Sequence, residues 1–187
     1  MNWQVTTAPT TEPVTLAEAK THLRVDGSDE DTFIEGLIQA AREWCEDYER
    51  RAYITRTITA KFDRFYSTII LPMPKIQSVT SVKYLDTAGT EQTLSTDYYD
   101  VDTYREPGAI TLAYNKTWPT TRDINNAVEV VFVAGYGDAD DVPERVKCAI
   151  KLLIGHLYEN RETTSPINIS EVPLGIKSLL TNRSWTA

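Results

Sequence analysis

The first part of the chain has the hydrophobic period of an α-helix. Apolar residues recur at i, i+3 and i+7 and predict a short helix with one narrow apolar stripe: Leu16, Ala19 and Leu23. Thr15 and Glu18 stand at the spacing of a capping box, in which a hydroxyl and a carboxylate satisfy backbone amides at the start of a helix. Because glycine tolerates a left-handed backbone, we expect Asp26-Gly27 to end this helix.

A second, longer helix is predicted to follow at once. Ser28 is its expected N-cap, with the acidic run Asp29–Asp31 against the positive end of the helix dipole. One face is apolar and carries Phe33, Ile34, Leu37, Ile38, Ala41, Trp44, Cys45 and Tyr48. The other face is polar and carries Glu35, Gln39, Arg42, Glu43, Glu46 and Arg50. Glu46 and Arg50 stand at i, i+4, a favourable spacing for opposite charges on a helix.

From Ala52 onward the period changes from helical to alternating, which is typical of strands. "YITRTITAKFDRF" predicts one strand, and the two prolines of "TIILPMPKI" predict the edge of a sheet. "IQSVTSVKYLDTAGTEQTL" predicts a hairpin whose turn runs from Asp86 to Thr90. With "YYDVD", "GAITLAY" and "AVEVVFVAGYG", the segment amounts to about six strands, which indicates a compact β-module.

Helical periodicity returns after Pro143, which suits a first helical position. One apolar stripe contains Val146, Ala149, Ile150, Leu153 and Leu157, and a second contains Leu152, Ile154 and Tyr158. A helix that is apolar on more than one face lies in the centre of a bundle or is covered by another subunit. We therefore list the second stripe as a candidate subunit interface. A last short helix is predicted after Pro173, with Leu174, Ile176, Leu179 and Leu180 as its apolar residues.

This order of elements predicts an α+β fold. It consists of a small α-helical bundle, with two N-terminal helices, one long and one short C-terminal helix, and a β-rich insertion. The expected parts are the N-terminal helices over 1–51, the β-rich insertion over 52–137 and the C-terminal helices over 138–187.

Composition narrows the possible functions. The net charge of −8 and the pI of about 4.8 argue against tight binding to the phosphate backbone of nucleic acids. No signal peptide is visible in "MNWQVTTAPTTEP", and the longest apolar run is too short to span a bilayer, so we expect a protein made in the cytoplasm without membrane contact. Cys45 and Cys148 both fall in predicted helices and are expected to be buried thiols. With His22 and His156 far apart, the sequence predicts neither a metal site nor a cofactor.

Two groups of residues in the β-module support alternative functions. The carboxylates Asp97, Asp100 and Asp102 are candidates for a glycosidase pair, although such alternation is also typical of a solvated strand edge. A second group would suit a carbohydrate- or protein-binding module, although aromatic residues at this spacing also pack sheet faces: Tyr98, Tyr99, Tyr104, Tyr114 and Trp118.

The motifs taken together resemble a known family. "TLAEAKTHLRVD", "DTFIEGLIQAAREWCE", "SVTSVKYLD", "VEVVFVAGYG", "VPERVKCAIKLLIGHLYENRE" and "VPLGIKSLLTNRSW" resemble, in this order and spacing, the head–tail connector (adaptor) proteins of tailed bacteriophages. The resemblance extends from about Val14 to Trp185. It implies a structural virion protein, not an enzyme, whose ring lies below the portal, is typically twelve-fold in the virion and extends the DNA channel.

The resemblance also implies partners and a location. The expected partners are further copies of the chain, the portal protein and a stopper or tail protein, with DNA passing through unbound. The expected place is the head–tail junction of a virion assembled in the host cytoplasm. In this family the C-terminal segment contacts the portal, which makes the following residues candidates for portal docking: Leu174, Ile176, Leu179, Leu180, Arg183 and Trp185.

Overall fold

The structure is a computed structural model and describes residues 1–161 and 174–180. These residues form two compact units, one β-rich and one helical. The β-rich unit contains residues 1–9 and 55–136, and the helical unit contains residues 10–54 together with the described residues from 137 onward. The predicted α+β class is confirmed, with helices and antiparallel sheets in one chain.

The helical unit contains four α-helices within the described residues. They are α1 (Leu16–Leu23), α2 (Asp31–Glu49), α3 (Glu144–Glu159) and α4 (Leu174–Leu179). Helices α1, α2 and α3 pack against one another in pairs, and α4 packs against α3. The core of this unit lies between them, with Ile34 and Ile38 of α2 and Val146 and Ile150 of α3 almost completely buried.

The start of α1 is the capping box that its sequence predicts. The hydroxyl of Thr15 accepts a hydrogen bond from the backbone N–H of Glu18 at 3.2 Å, and the carboxylate of Glu18 accepts one from the backbone N–H of Thr15 at 2.7 Å. The backbone N–H and the hydroxyl of Thr15 both donate to the carboxylate of Glu18, and these two hydrogen bonds lower its pKa. The end of the helix differs from the prediction, because Arg24 adopts the left-handed C-cap conformation there. Gly27 also has a positive φ of 84°, but it lies beyond that cap.

The predicted N-cap of α2 is wrong. The helix begins at Asp31 with Glu30 as N-cap, and the backbone carbonyl of Ser28, not its side chain, accepts a hydrogen bond from the N–H of Asp31. Asp31 forms an ion pair of 2.5 Å with Lys20 of α1, so the carboxylate joins the two helices. This tertiary contact, which a local capping pattern does not include, fixes where α2 starts.

Within the described residues, the β-rich unit contains eight strands. They are β1 (Asn2–Thr7), β2 (Arg56–Phe62), β3 (Thr68–Ile70), β4 (Ile76–Leu85), β5 (Glu91–Thr93), β6 (Tyr99–Asp102), β7 (Ala109–Leu112) and β8 (Val128–Ala134). One sheet has the order β1-β2-β8-β4-β5 and the other the order β3-β7-β6, with every pairing antiparallel. The predicted hairpin is present as β4 and β5, and Asp86 accepts hydrogen bonds from the backbone of Ala88 and Thr90 in its turn.

The core of the β-rich unit draws on both sheets. Ile58 and Phe132, which are directly opposite each other on β2 and β8, are completely buried, as are Ile110 of β7 and Ile69 of β3. Gly108 lies where backbone from one sheet approaches a side chain of the other. A Cβ atom at Gly108 would lie 2.7 Å from Cγ1 of Ile76, so only glycine fits without a shift.

Strand β1 is the element that the sequence analysis does not predict. It pairs with β2, which places residues 1–9 in the β-rich unit instead of with the N-terminal helices. All six of its residues are exposed, but Trp3 and Val5 alternate with polar residues, which was the available signal for a strand. Backbone pairing with β2 and hydrogen bonds of the Thr6 hydroxyl hold this edge strand.

The capping box yields a testable prediction. Thr15→Ala removes the hydroxyl acceptor and should lower the free energy of unfolding by about 1 kcal/mol, measured by urea denaturation at pH 7. Since the folded-state pKa of Glu18 is lowered, the contribution of its carboxylate is present above the ordinary value of 4.5 and is lost as the pH falls through the folded-state value.

The matched control is Thr21→Ala on the exposed side of the same helix. The Thr21 hydroxyl donates to the carbonyl of Ala17 inside the helix, and alanine is the better helix former, so stability should stay the same or rise slightly. Equal losses in the two variants would contradict the role of the cap.

Candidate functional site

The residues of the candidate interface stripe of α3 differ in how deeply they are buried. Ile154 is completely buried within its own helical unit. Leu152 is 43% exposed, and Tyr158 is half-buried. Because α3 packs against α1, α2 and α4, its own unit uses more than one face of the helix. Ile154 thus belongs to the core of this chain, and Leu152 is the member of the stripe that remains open to a partner.

Tyr158 takes part in a cluster that joins the end of α3 to the start of α2. Its hydroxyl donates a hydrogen bond to Glu30, whose carboxylate also forms an ion pair of 2.7 Å with Arg161. The guanidinium of Arg161 lies 4.6 Å from the ring centre of Phe33 and 4.5 Å from that of Tyr158. The hydrogen bond from Tyr158 and that from Arg161 lower the pKa of Glu30, and the same Glu30 raises the pKa of the Tyr158 hydroxyl.

The C-terminal candidates for portal docking also differ in burial. Ile176 and Leu180 are almost completely buried in the helical unit, and Leu179 is partly exposed. Nη1 of Arg145 on α3 donates a hydrogen bond of 3.2 Å to the carbonyl of Leu179, which ties the end of α4 to α3. The side chain of Leu174, and Arg183 and Trp185 altogether, lie outside the described residues.

A buried ion pair supports these helices from within. Arg42 and Glu46 are one turn apart on α2 and are 4% and 3% exposed. Nη1 of Arg42 lies 2.7 Å from Oε2 of Glu46, and Nε of Arg42 lies 2.7 Å from Oε2 of Glu12. The other oxygen of Glu46 accepts a hydrogen bond of 2.8 Å from the backbone N–H of Tyr53. Burial lowers the pKa of Arg42, but the hydrogen bonds and charges of Glu12 and Glu46 outweigh burial and raise it.

The next turn of α2 continues this polar network. The hydroxyl of the fully buried Tyr53 donates to Oε2 of Glu49 at 2.7 Å and also lies 3.1 Å from the carbonyl oxygen of Cys45. Burial, followed by the charges of Glu49 and Glu46, raises the pKa of the Cys45 thiol to about 12, and burial and Glu49 also raise the pKa of Tyr53. These groups therefore keep one protonation state at neutral pH.

This network was not predicted from the sequence. Arg42 and Glu46 were expected on the polar face of α2, with Glu46 at a favourable spacing from Arg50, whereas Arg50 is an exposed left-handed C-cap. The i, i+4 spacing of Arg42 and Glu46 was the available signal for the pair, but the spacing alone does not indicate burial. The expectation of two buried thiols is correct for Cys45 and wrong for Cys148, which lies on the exposed face of α3.

The carboxylates of the glycosidase hypothesis have structural contacts. Asp97 lies in a short 3-10 turn, where a hydrogen bond with Ser95 lowers its pKa. Oδ1 of Asp102 accepts hydrogen bonds from the backbone N–H groups of Tyr104 and Arg105, so this carboxylate shapes the turn after β6. Asp100 is an exposed residue of β6. The environments of these residues are those of turns and a strand surface.

The aromatic residues of the carbohydrate hypothesis do not form one platform. Tyr99 is buried, the ring of Trp118 stacks on Phe65 with centroids 4.7 Å apart, and Lys116 covers Tyr98. Tyr104 and Tyr114 are the highly exposed members, but Tyr104 precedes β7 and Tyr114 follows it. They lie beyond opposite ends of that strand.

The described residues contain no group of three or more histidine, cysteine, aspartate or glutamate side chains placed to hold a metal ion. Across the same ranges, no helix has the length and apolar character needed to cross a membrane.

Comparison with known proteins gives a family match for the N-terminal part of the chain. The model of the phage gp6-like head-tail connector protein family matches residues 13–84, the range from just before α1 to near the end of β4. A search of curated proteins finds no match.

Solved structures match over almost the whole chain. The neck of an empty gene transfer agent (GTA) particle, computed with C6 symmetry, contains a chain with 24% sequence identity and a TM-score of 0.79, and the match covers 96% of this chain and 93% of that chain. The neck of the native GTA particle, computed with C12 symmetry, matches with 24% identity, a TM-score of 0.76 and the same coverage. A chain of the native GTA virion matches with 23% identity, a TM-score of 0.77 and the same coverage. These likenesses show a shared fold.

Residues 13–84 match the phage connector family that the sequence motifs resemble. The solved structures show that almost the whole chain has the fold of the matched neck and virion chains.

The contribution of the buried Arg42–Glu46 pair to stability can be tested by substitution. Glu46→Gln removes the charge that faces Arg42 inside the helical unit, with little change in volume. Because Arg42 would keep only Glu12 and Glu43, whose side chains are more exposed than that of Glu46, the unfolding free energy should fall by about 3 kcal/mol, measured by chemical denaturation monitored by circular dichroism.

Glu43→Gln is the matched control on the same helix. Glu43 also approaches Arg42, at 3.5 Å, but its side chain is 55% exposed, so the loss should stay within about 0.5 kcal/mol. Similar losses in both variants would show that burial of the Arg42–Glu46 pair is not what matters.

Proposed function

We propose that the chain forms a homo-oligomeric ring at the head–tail junction of the virion, directly below the portal. The ring would extend the DNA channel and offer a platform to a stopper or tail protein. The observation that carries this proposal is the match of 96% of the chain, at a TM-score of 0.76, to a chain in a particle neck computed with C12 symmetry. A twelve-fold ring is therefore the expected state in the virion. Another matched chain belongs to a particle neck computed with C6 symmetry.

The charge of the chain suits a passive channel. At −8 for each copy, a ring of twelve would carry on the order of a hundred excess negative charges. Such a ring lacks the cation excess that drives counterion release and tight binding to duplex DNA. DNA would therefore pass without specific contacts, and the described carboxylates and aromatic residues have structural surroundings instead of a catalytic arrangement.

Reconstitution on the portal tests the proposal directly. The full-length chain, mixed with portal rings of the same phage and imaged by electron microscopy, should add a ring of density to one end of the portal. Portal alone and the chain alone are the controls. The complex should also leave the mobility of duplex DNA unchanged at moderate salt. Portal rings that stay bare at saturating concentrations of the folded chain would contradict the proposal.

The C-terminal segment is the proposed portal contact. We expect its buried residues to anchor the segment and its other candidate residues to contact the portal. Ile176 and Leu180, which are buried, would anchor α4 to its own unit. Leu174, Leu179, Arg183 and Trp185 are the remaining candidates for contact with the portal. Tryptophan and arginine are the residue types most enriched among the energetically dominant residues of interfaces.

Single substitutions separate anchoring from docking. Trp185→Ala and Arg183→Ala should each weaken portal binding by about tenfold or more at an unchanged melting temperature. Ile176→Ala should instead lower the unfolding free energy by about 2–4 kcal/mol, since it opens a cavity beside α3. Portal binding can be measured by biolayer interferometry and stability by thermal denaturation. If Trp185→Ala lowers the melting temperature and leaves portal affinity unchanged, the assignment of the segment to the portal is wrong.

A further inference from the structure

The outer face of α2 is open along most of its length. Residues at i, i+4, i+7 and i+11 form one exposed line on this face: Gly36, Ala40, Glu43 and Asp47. A Cβ atom at Gly36 would meet no other heavy atom within 4 Å. The line therefore begins with two small residues, where another backbone can approach closely, and ends with two carboxylates.

A groove lies on the outer surface between α1 and α3. It is an open depression of about 400 Å³ lined by Ala17, Glu18, Thr21 and His22 of α1 and by Lys151 of α3. The exposed Leu152 follows Lys151 directly in α3. Gly155 of α3 lies beside His22, and a Cβ atom at this position would be 3.5 Å from Nε2 of His22, an ordinary van der Waals distance.

The two surfaces lie on opposite sides of the helical unit. Helices α1, α2 and α3 contact one another in pairs, so the outward groove between α1 and α3 faces away from α2. The outer face of α2 in turn faces away from that groove. A closed ring needs such an arrangement, because each subunit of a cyclic assembly uses one face toward the preceding copy and a different face toward the next.

The α2 face is acidic, whereas the groove contains one acidic and one basic side chain. Glu43 and Asp47 supply two carboxylates on the α2 face, and Lys151 supplies an ammonium group to the groove. Glu18, the acidic residue of the groove, already accepts hydrogen bonds of 2.7 Å from the backbone and the hydroxyl of Thr15. The charge of Lys151 also contributes to the lowered pKa of Glu18, so an incoming carboxylate would share this ammonium group with Glu18.

We propose that the outer face of α2 of one copy docks into the α1–α3 groove of the next copy, with Glu43 next to Lys151. This inference rests on the proposed ring function and identifies the two faces by which its subunits join. A helix fits a groove between two helices by interlocking ridges, and Gly36 and Ala40 let the backbone of α2 approach the small side chains of Ala17 and Thr21. Leu152 gives the contact an apolar border.

Charge reversal tests the pairing, with ring formation on portal as the measured quantity. Glu43→Lys and Lys151→Glu should each raise the concentration needed for half-maximal ring formation by about tenfold or more, because like charges would face each other. The double variant Glu43→Lys/Lys151→Glu should return to within about threefold of the original chain. Glu35→Lys is the matched control, since it makes the same charge change on an exposed position of α2 away from the line.

Ala40→Trp provides a second test that does not depend on charge. Ala40 is exposed, so the variant should fold normally but block close approach and prevent rings. Melting temperatures of all variants verify folding. Normal rings with Glu43→Lys or Ala40→Trp, or a double variant that does not recover, would overturn the pairing while leaving the ring function intact. If the unaltered chain forms no ring on portal, both the ring function and this inference fail.

Discussion

The helical unit depends on the buried pair between Arg42 and Glu46. Two charges in a protein interior are costly unless each is matched in both charge and hydrogen bonding. Here the matching groups come from outside α2: Glu12, which precedes α1, binds Arg42, and the backbone of Tyr53, which follows α2, binds Glu46. The pair thus fixes the chain segments on both sides of the two N-terminal helices, a directional constraint that apolar packing of Ile34 and Ile38 does not provide.

The groups of this network keep fixed protonation states, as expected of residues that stabilise the fold and not of residues that transfer protons. The pKa of Arg42 is raised, that of Cys45 is about 12 and that of Tyr53 is raised, so none of these three groups changes charge near neutral pH. A site for acid–base catalysis needs the opposite, a group whose pKa lies close to the working pH. The network is thus suited to holding the chain segments around α2 in place.

Local patterns were sufficient for most of the fold. The capping box of Thr15, the period of α3 and the turn after β4 involve residues close in sequence, and each element is present where the sequence predicts it. The features that the sequence did not reveal depend on distant partners. Strand β1 pairs through its backbone with β2, and α2 starts at Asp31, which binds Lys20. The burial of Arg42 likewise requires Glu12, thirty residues earlier in the chain.

Local patterns were also insufficient for the candidate interface on α3. The burial of its residues changes the chemical composition expected of the contact between subunits. Periodicity showed that α3 has excess apolar surface but did not show how much of it its own unit covers. In the structure, Ile154 is buried in the core and Leu152 is exposed. Among the described residues of the helical unit, the large hydrophobic side chains that remain exposed are Phe33 and Leu152. Permanent interfaces are usually rich in apolar surface, whereas this unit offers small, polar and charged residues. A contact of that composition is weak for a single pair of subunits, and closure of a ring on a portal would stabilise it by adding many such contacts at once.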